Sequence, residues 1–240
     1  MKLIVFVVFI FFHFQVNASK IPQQLDANDQ ITAARSLGYA LSSRVLSNPY
    51  PLGGYHGFEF AMSNELIPWT DISRLGITTN STGEFQVKHI SFAKGLYNHI
   101  DVGMHFSLLP QDQAIESYGG QVRWTFFDFE HFPATLAVSA HASSANYENH
   151  IIAKNSSTDL LMSVYTSPLT LFLGVGLSRA SVQFIGGANG ITADQKTSIL
   201  KNNSLHTFIG TNFEIDRTFI ALQIDRYFET SYAIKLGYRL

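Results

Sequence analysis

Apolar and polar residues alternate along most of this chain, and the alternation is clearest at its C-terminus. From Tyr232 to Leu240 every second residue is large and apolar, while the residues between them include Lys235 and Arg239. A period of two is typical of a β-strand with one apolar and one polar face. A chain that ends in such a strand leaves an edge to be paired. We therefore expect this strand to pair with one near the N-terminus and to close a barrel.

Nine further segments show the same alternation, some of them less cleanly. Together they predict ten strands, at about 58–63, 85–94, 101–108, 121–126, 135–141, 158–166, 171–178, 206–214, 220–225 and 232–240. With their less regular ends these segments approach the roughly 9–11 residues that a tilted strand needs to cross a bilayer. The pattern predicts an all-β fold, a closed antiparallel transmembrane barrel of ten strands. Eight or twelve strands follow if one irregular segment is assigned wrongly.

The connections between these strands alternate in length. The short ones are expected at 96–99, 129–132, 167–168 and 216–217, and the long ones at 69–84, 110–116, 145–157 and 185–204. Short turns on one side and long loops on the other are typical of outer-membrane barrels. The last connection, 228–230, is an exception, because it is short on the long side.

The segment before the first strand has a helical period instead. Apolar residues recur at three- and four-residue steps at Ile31, Ala34, Leu37, Leu41 and Val45. This spacing predicts a helix that begins near Asp26 or Asp29 and ends before Pro49 and Pro51. We expect a short periplasmic helix. The alternative is a plug inside the barrel, which is less favoured because the helix carries few side chains that would line a gate.

The first residues have the parts of a secretory signal peptide. Met1 and Lys2 give a positive start, an apolar run follows from Leu3 to Phe12, and the small-residue pattern Val16–Ala18 predicts cleavage after Ala18. A retained anchor is disfavoured because a spanning helix needs about 20 apolar residues. The predicted organisation is a signal peptide at 1–18, a helical segment at 19–52 and a barrel at 53–240.

Composition supports a membrane barrel over a soluble one. The chain has 20 Phe and 10 Tyr but only 14% charged residues, whereas soluble domains carry about 25%. The polar faces of the strands are rich in small residues such as Gly103, Gly174 and Gly210, which suit a crowded lumen better than open water. A soluble sandwich or lipocalin-like barrel is the alternative. Without cysteine there is no disulfide, and a net charge of −2 gives no basic surface for nucleic acid.

The signal peptide, the alternating strands and the closing aromatic strand Tyr232–Leu240 resemble those of Gram-negative outer-membrane β-barrel proteins. The resemblance covers 53–240 and concerns architecture. It implies a location in the cell outer membrane, contact with outer-membrane lipid, and recognition of the last strand by the barrel-assembly machinery. The chain departs from the family pattern in ending with Leu240 where Phe is usual.

Charged residues on the polar faces are the candidate functional residues. They are Glu59, Asp101, Arg123, Glu214, Asp225, Lys235 and Arg239. Because the first, ninth and tenth strands become neighbours on closure, we expect Glu59, Gln223 and Lys235 to meet inside the barrel. One interpretation is a charged constriction that selects a small solute. The preferred one is an ionic network that fills the lumen, because a ten-stranded barrel is only slightly wider than an eight-stranded one.

Other chemistry has little support in the sequence. There is no Gly-x-Ser-x-Gly motif, and the histidines are scattered without metal-ligand spacing, so we expect no catalytic site, no metal and no cofactor. In the first long loop, Asp71, Arg74 and Leu75 predict an ordered turn that folds over the barrel mouth. The expected function is non-enzymatic, a structural or narrow solute-permeable barrel that displays surface loops. The alternatives are an adhesion protein that acts through its loops and an outer-membrane hydrolase.

Overall fold

A computed structural model describes residues 22–40, 51–68, 74–77, 84–107, 115–129 and 132–240. Its elements are α1 (Ala27–Ala40), β1 (Phe58–Pro68), β2 (Glu84–Gly95), β3 (Ile100–Ser107), β4 (Ile115–Asp128), β5 (Ala134–Tyr147), β6 (Ile151–Thr166), β7 (Leu169–Phe184), β8 (Ser198–Ile215), β9 (Thr218–Arg226), β10 (Thr230–Arg239) and the 3₁₀ turns Gly54–His56 and Tyr97–His99. The predicted signal peptide and Asp71 lie outside the described residues. No helix in the described ranges is long and apolar enough to cross a membrane.

The ten strands form one closed antiparallel barrel, in which each strand pairs with its neighbours in sequence and β10 pairs with β1. Across this closing pair Glu59 lies opposite Arg239, and Leu66 lies opposite Tyr232. Phe58 and Leu240 exchange backbone hydrogen bonds of 3.1 and 2.9 Å, so the last residue of the chain is tied into the wall. The predicted ten-stranded barrel and the pairing of its terminal strands are therefore confirmed.

Alternation along each strand decides which residues enter the lumen. On β7, Phe172, Ser178 and Ala180 are buried inside, while Leu177 and Arg179 are exposed on the outer wall. A β-bulge between Thr125 and Phe127 interrupts the alternation on β4, so that the neighbouring residues Phe126 and Phe127 are both exposed. A bulge adds one residue to one strand of a pair, which re-aims the side chain that follows it.

Strands β5 to β8 are longer than the sequence predicts, and one expected loop does not exist. The connection expected at 145–157 is instead a turn at 148–150, with Tyr147 paired to Ile151. The connection expected at 185–204 ends where β8 begins, at Ser198. The prediction was wrong because polar outward residues, such as Lys154 and Lys201, resembled a loop although their backbone remains in the ladder.

Helix α1 begins with a reciprocal cap and packs inside the barrel. The Asp29 amide donates to the Asp26 carboxylate at 2.8 Å, and the Asp26 amide faces the Asp29 carboxylate at 3.4 Å. The buried face includes Ala33 and Leu37, whereas Ile31 is 41% exposed although the period placed it on the apolar face. The helix contacts β6, β7 and β8. The helix therefore lies inside the barrel, whereas the sequence predicted a helix in the periplasm. It does so because its small residues pack against the inner wall.

Glycines on the inner wall provide space for aromatic rings. A Cβ on Gly174 would lie 2.2 Å from the Phe208 ring, and a Cβ on Gly210 would lie 2.3 Å from the Phe172 ring. The two rings lie in one buried cluster with Ala137 and Leu161. The small residues of the polar faces thus allow a lumen of this width to be packed rather than open.

Candidate functional site

Helix α1 plugs one end of the lumen, the end opposite the C-terminus of β10. Its residues form one buried apolar cluster with the ends of the surrounding strands, comprising Leu25, Ala33, Ala34, Leu37, Ala40, Ile67, Leu75, Val87, Ala145, Tyr147, Ile151, Ala153, Val182, Phe184 and Ile191. The Tyr147 hydroxyl donates to the Leu37 carbonyl at 3.2 Å. Gly38 allows the closest approach to the wall, since a Cβ there would lie 2.8 Å from the Ala180 Cβ.

Two segments fix the outer end of this plug. Leu25 pairs in parallel with the β7–β8 connection, where its amide donates to the Ile191 carbonyl at 2.7 Å and its carbonyl accepts from the Ala193 amide at 2.9 Å. The Gly76 amide donates to the Asp29 carboxylate at 3.2 Å. The plug is therefore bonded to both connections and to the walls beneath them.

The turn expected over the barrel mouth lies against this plug in the part that is described. Leu75 is buried in the apolar cluster and Arg74 is exposed. The Ile77 amide donates to the Gln23 carbonyl at 3.1 Å, which ties the turn to the chain just before the helix. Whether Asp71 completes this turn stays a prediction.

The inner end of the helix makes polar and aromatic contacts with the β9–β10 hairpin. The Ser36 hydroxyl donates to the Glu229 carboxylate, and the Tyr39 ring stacks on Tyr227 with centroids 5.1 Å apart. Burial raises the pKa of the Tyr39 phenol to about 12, so the ring stays neutral over the physiological range. Tyr227 in turn stacks on His206 at 4.1 Å, which connects the plug to the middle of the lumen.

An ionic network lies near the other end of the lumen, where the chain ends. The buried Glu59 carboxylate accepts from Lys235 at 2.8 Å and from Arg239 at 2.8 Å, and Arg239 also lies 3.8 Å from Glu214. Both cations face the Phe219 ring, with Arg239 4.7 Å from its centroid. Of the charged residues predicted for the lumen, these four thus meet in one network.

The other three predicted residues lie in two separate groups. Arg123 pairs with Asp101 at 2.6 Å, and Asp101 also accepts from the Leu52 amide at 3.1 Å. Asp225 does not join the ionic network. Gln223, expected beside Glu59 and Lys235, instead donates to Asp225 at 2.7 Å.

Asp225 belongs to a chain of buried imidazoles and carboxylates across the middle of the lumen. His206 Nε2 lies 2.9 Å from an Asp225 oxygen, and His206 Nδ1 lies 2.7 Å from an Asp159 oxygen. The second Asp159 oxygen contacts His141 Nε2. Ser157 Oγ lies 3.0 Å from His141 Nδ1 and 2.8 Å from Nε2. We call these five residues the central His–Asp chain.

The central His–Asp chain does not have the geometry of a hydrolase. In a Ser–His–Asp triad the carboxylate orients one imidazole nitrogen and the serine hydroxyl meets the other. Here Asp159 and the nearer contact of Ser157 share Nε2 of His141. The three side chains are also buried, so no substrate reaches them in this conformation. The arrangement suits binding and cross-linking of strands rather than attack on a substrate.

Sequence reasoning missed Asp159 and described the histidines as scattered. Asp159 lies in the segment at 158–166, which was counted as a strand without assigned faces. The alternation Asn155, Ser157, Asp159 was the available signal, because residues two apart in a strand share a face. This segment pairs with β5, and Asp159 lies opposite Ser139. The sequence does not show this pairing, because it depends on the tertiary structure.

The outer wall carries a broad apolar belt bounded by cations. On β7 it consists of Leu171, Leu173, Val175 and Leu177, all exposed, and Arg179 follows directly. Lys154 and Lys201, on the adjacent strands, lie opposite Ser181, two residues beyond Arg179. A groove of about 1060 Å³ runs along the wall here, with Ala142, Ser156 and Leu177 among its lining residues. A contiguous apolar belt of this extent is the surface of a barrel that spans a membrane.

Comparisons with known proteins find distant similarity to solved structures. No protein-family model matches the sequence, and neither does any curated protein. Among solved structures, the translocator domain of the autotransporter NalP from Neisseria meningitidis is similar at 11% identity and a TM-score of 0.44, over 93% of this chain and 100% of that one. The N-terminal β-barrel domain of Pseudomonas aeruginosa OprF is similar at 10% identity and 0.40, over 78% and 99%.

The Escherichia coli outer-membrane protease OmpT is a third similar structure, at 8% identity and a TM-score of 0.40, over 77% of this chain and 96% of that one. The pairing of its strands and its exposed apolar belt make this chain a closed ten-stranded antiparallel β-barrel with an apolar outer wall.

Proposed function

We propose that this protein is a non-enzymatic outer-membrane barrel whose lumen is closed at rest by its own N-terminal helix, and that small solutes pass only when the helix moves. The observation that carries this is the position of α1, with Leu37 fully buried against the inner wall. With the barrel termini on the periplasmic side, the plug lies at the outer end.

The rest of the lumen supports a narrow, selective path. Beyond the plug, the central His–Asp chain and the network around Glu59 cross it, and the pocket beside His89 and Lys235 has a volume of only about 30 Å³. That is room for about one water molecule. A solute that enters must replace or displace charged groups of both signs, which is how charged constrictions select ions.

A cysteine pair provides a reversible lock for the test, because the chain has no cysteine of its own. Gly38→Cys with Ala180→Cys places two thiols where the helix approaches β7 most closely. The refolded mature chain, Ser19 to Leu240, is inserted in planar bilayers and its conductance is recorded before and after oxidation. The proposal expects discrete openings in the reduced protein and at least about a tenfold loss of open probability on oxidation.

The matched control is a disulfide that leaves the helix free. Ala142→Cys with Ser156→Cys joins two residues that face each other on the outer wall of β5 and β6. Oxidation of this pair should leave conductance unchanged. If the plug-locked protein conducts as well as the reduced one, the helix is not a gate. If a folded barrel never conducts in either state, the solute-permeable role is wrong and the barrel is structural.

A further inference from the structure

Three potential metal ligands lie together in the middle of the lumen, on three different strands. His141 is on β5, Asp159 on β6 and His206 on β8, and one ligand atom from each lies within 4.8 Å of the others. All three side chains are almost completely removed from solvent. Nearby residues leave room for the carboxylate, since a Cβ on Gly176 would lie 2.1 Å from an Asp159 oxygen.

The hydrogen bonds around His206 are unusual for a neutral imidazole. Its two nitrogens face two different carboxylates, Asp159 at 2.7 Å and Asp225 at 2.9 Å. A neutral imidazole carries one N–H, so one nitrogen would turn its lone pair toward a carboxylate oxygen. This nitrogen and this oxygen repel each other unless a positive charge lies between them. That charge is either a second proton on the ring or a bound cation.

The outer contacts have the arrangement that metal-bound histidines require. A ligating histidine donates its other ring N–H to a carboxylate, carbonyl or hydroxyl, which fixes the tautomer and the orientation of the ring. For His206 that acceptor is Asp225 at Nε2, which leaves Nδ1 toward Asp159. For His141, Ser157 Oγ lies 3.0 Å from Nδ1 and 2.8 Å from Nε2, so it does not select one tautomer, and Nε2 faces Asp159. Gln223 holds Asp225 in place with a bond of 2.7 Å.

We propose that His141 Nε2, His206 Nδ1 and an Asp159 oxygen bind a first-row transition-metal dication of the Zn²⁺ type, with Asp225 as the acceptor behind the His206 imidazole. Two imidazoles and one carboxylate form a ligand set that suits zinc, with water in the fourth position. Ligand atoms about 2.0–2.2 Å from zinc lie roughly 3.3 Å apart in tetrahedral geometry. The 2.7 Å contact between His206 and Asp159 therefore widens by about half an ångström, which side-chain rotation supplies.

The metal would join three strands of the wall beneath the plug. Tyr227 stacks on the His206 ring and also on the Tyr39 ring of the helix. The same tyrosine therefore contacts both a metal ligand and the docked helix. This inference does not depend on whether the helix acts as a gate. It departs from the expectation that scattered histidines hold no metal, because β5, β6 and β8 bring together residues that lie far apart in the sequence.

Cobalt(II) is the probe for the test, because its visible ligand-field bands report coordination number and nitrogen ligation. The full mature chain is refolded, stripped with a chelator and titrated with Co²⁺, and bound metal per folded barrel is measured by elemental analysis. We expect one Co²⁺ per chain, the strong bands of a four- or five-coordinate site, displacement by Zn²⁺, and a higher unfolding midpoint with metal than without.

Variants distinguish this site from other lumenal histidines. His206→Asn should weaken binding at least about 100-fold, and Asp225→Asn should weaken it about 10- to 100-fold, since it removes only the acceptor behind a ligand. The matched control is His89→Gln, a buried lumenal histidine bonded to Ser117 at 2.8 Å outside the site, which should bind as the wild type does.

Three results would overturn the proposal. A wild-type barrel with heat-modifiable mobility that takes up no stoichiometric metal would mean that protons alone supply the positive charge. Binding that is equally strong in Asp225→Asn and the wild type, or that is lost in His89→Gln, would mean that the metal sits elsewhere. If His206→Asn does not fold, the wild-type spectrum and the Asp225→Asn affinity still decide the question.

Discussion

Replacing Leu37 by alanine should loosen the plug without breaking the barrel. Leu37 is 1% exposed and lies in the apolar cluster between the helix and the strand ends. Truncation of a buried leucine costs about 2–5 kcal/mol. These contacts exist only when the helix is docked in the lumen. Their loss therefore lowers the free energy of docking and leaves the stability of the barrel wall unchanged. Even at about 2 kcal/mol, the population with the helix displaced rises about 30-fold.

The assay is the open probability of single refolded barrels in planar bilayers, with heat-modifiable gel mobility as the check on folding. Ile31→Ala is the matched control, because Ile31 is on the same helix but 41% exposed and loses little on truncation. We expect a much higher open probability for Leu37→Ala than for the wild type. For Ile31→Ala we expect the open probability of the wild type. A folded Leu37→Ala barrel whose openings are as rare as those of the wild type would refute it.

Three other substitutions test the wall and the lumen. Glu59→Gln removes the negative charge that pairs with the buried Lys235 and the partly buried Arg239, and should lower the free energy of unfolding by about 3–5 kcal/mol in urea titrations of vesicle-inserted protein, because Lys235 is left buried without a counter-charge. Gly210→Ala brings a methyl group to within 2.3 Å of the Phe172 ring and should cost about 1–3 kcal/mol in the same titration. Leu173→Lys puts a charge in the middle of the apolar belt and should cost about 2–4 kcal/mol in lipid.

Each of these has a control from the same neighbourhood. Glu214→Gln removes the weaker contact of Arg239, at 3.8 Å and partly exposed, so its cost should not exceed about 1 kcal/mol. Gly120→Ala adds a methyl group with no heavy atom nearer than 3.4 Å. Ser181→Lys places a lysine between Lys154 and Lys201, above the belt, where charge is tolerated. If a variant and its control lose the same free energy of unfolding, the corresponding proposal is contradicted. These proposals are the pairing of Glu59, the packing at Gly210 and the membrane depth of Leu173.

The period-two pattern could be read from the sequence because each strand has two chemically different faces. It was most reliable where the outer face lies in lipid, as from Leu171 to Leu177, and it failed where that face is polar. At Lys154 and Lys201 both faces carry polar residues, so the pattern did not distinguish a strand from a loop. Backbone pairing with the neighbouring strand keeps these residues in the wall, and pairing partners are not visible in a single segment.

The sequence alone predicted a closed barrel of ten strands, which strands close it, and seven of the charged residues on its polar faces, because these follow from the alternation of residues within one strand. Only the tertiary structure decided that the helix lies inside, because its buried face is small rather than strongly apolar. The expected pair of Glu59 and Lys235 was joined by Arg239 instead of Gln223, which only the register of the closed wall decided. Likewise, His141, Asp159 and His206 come from three strands, and their meeting depends on the width and register of the closed wall.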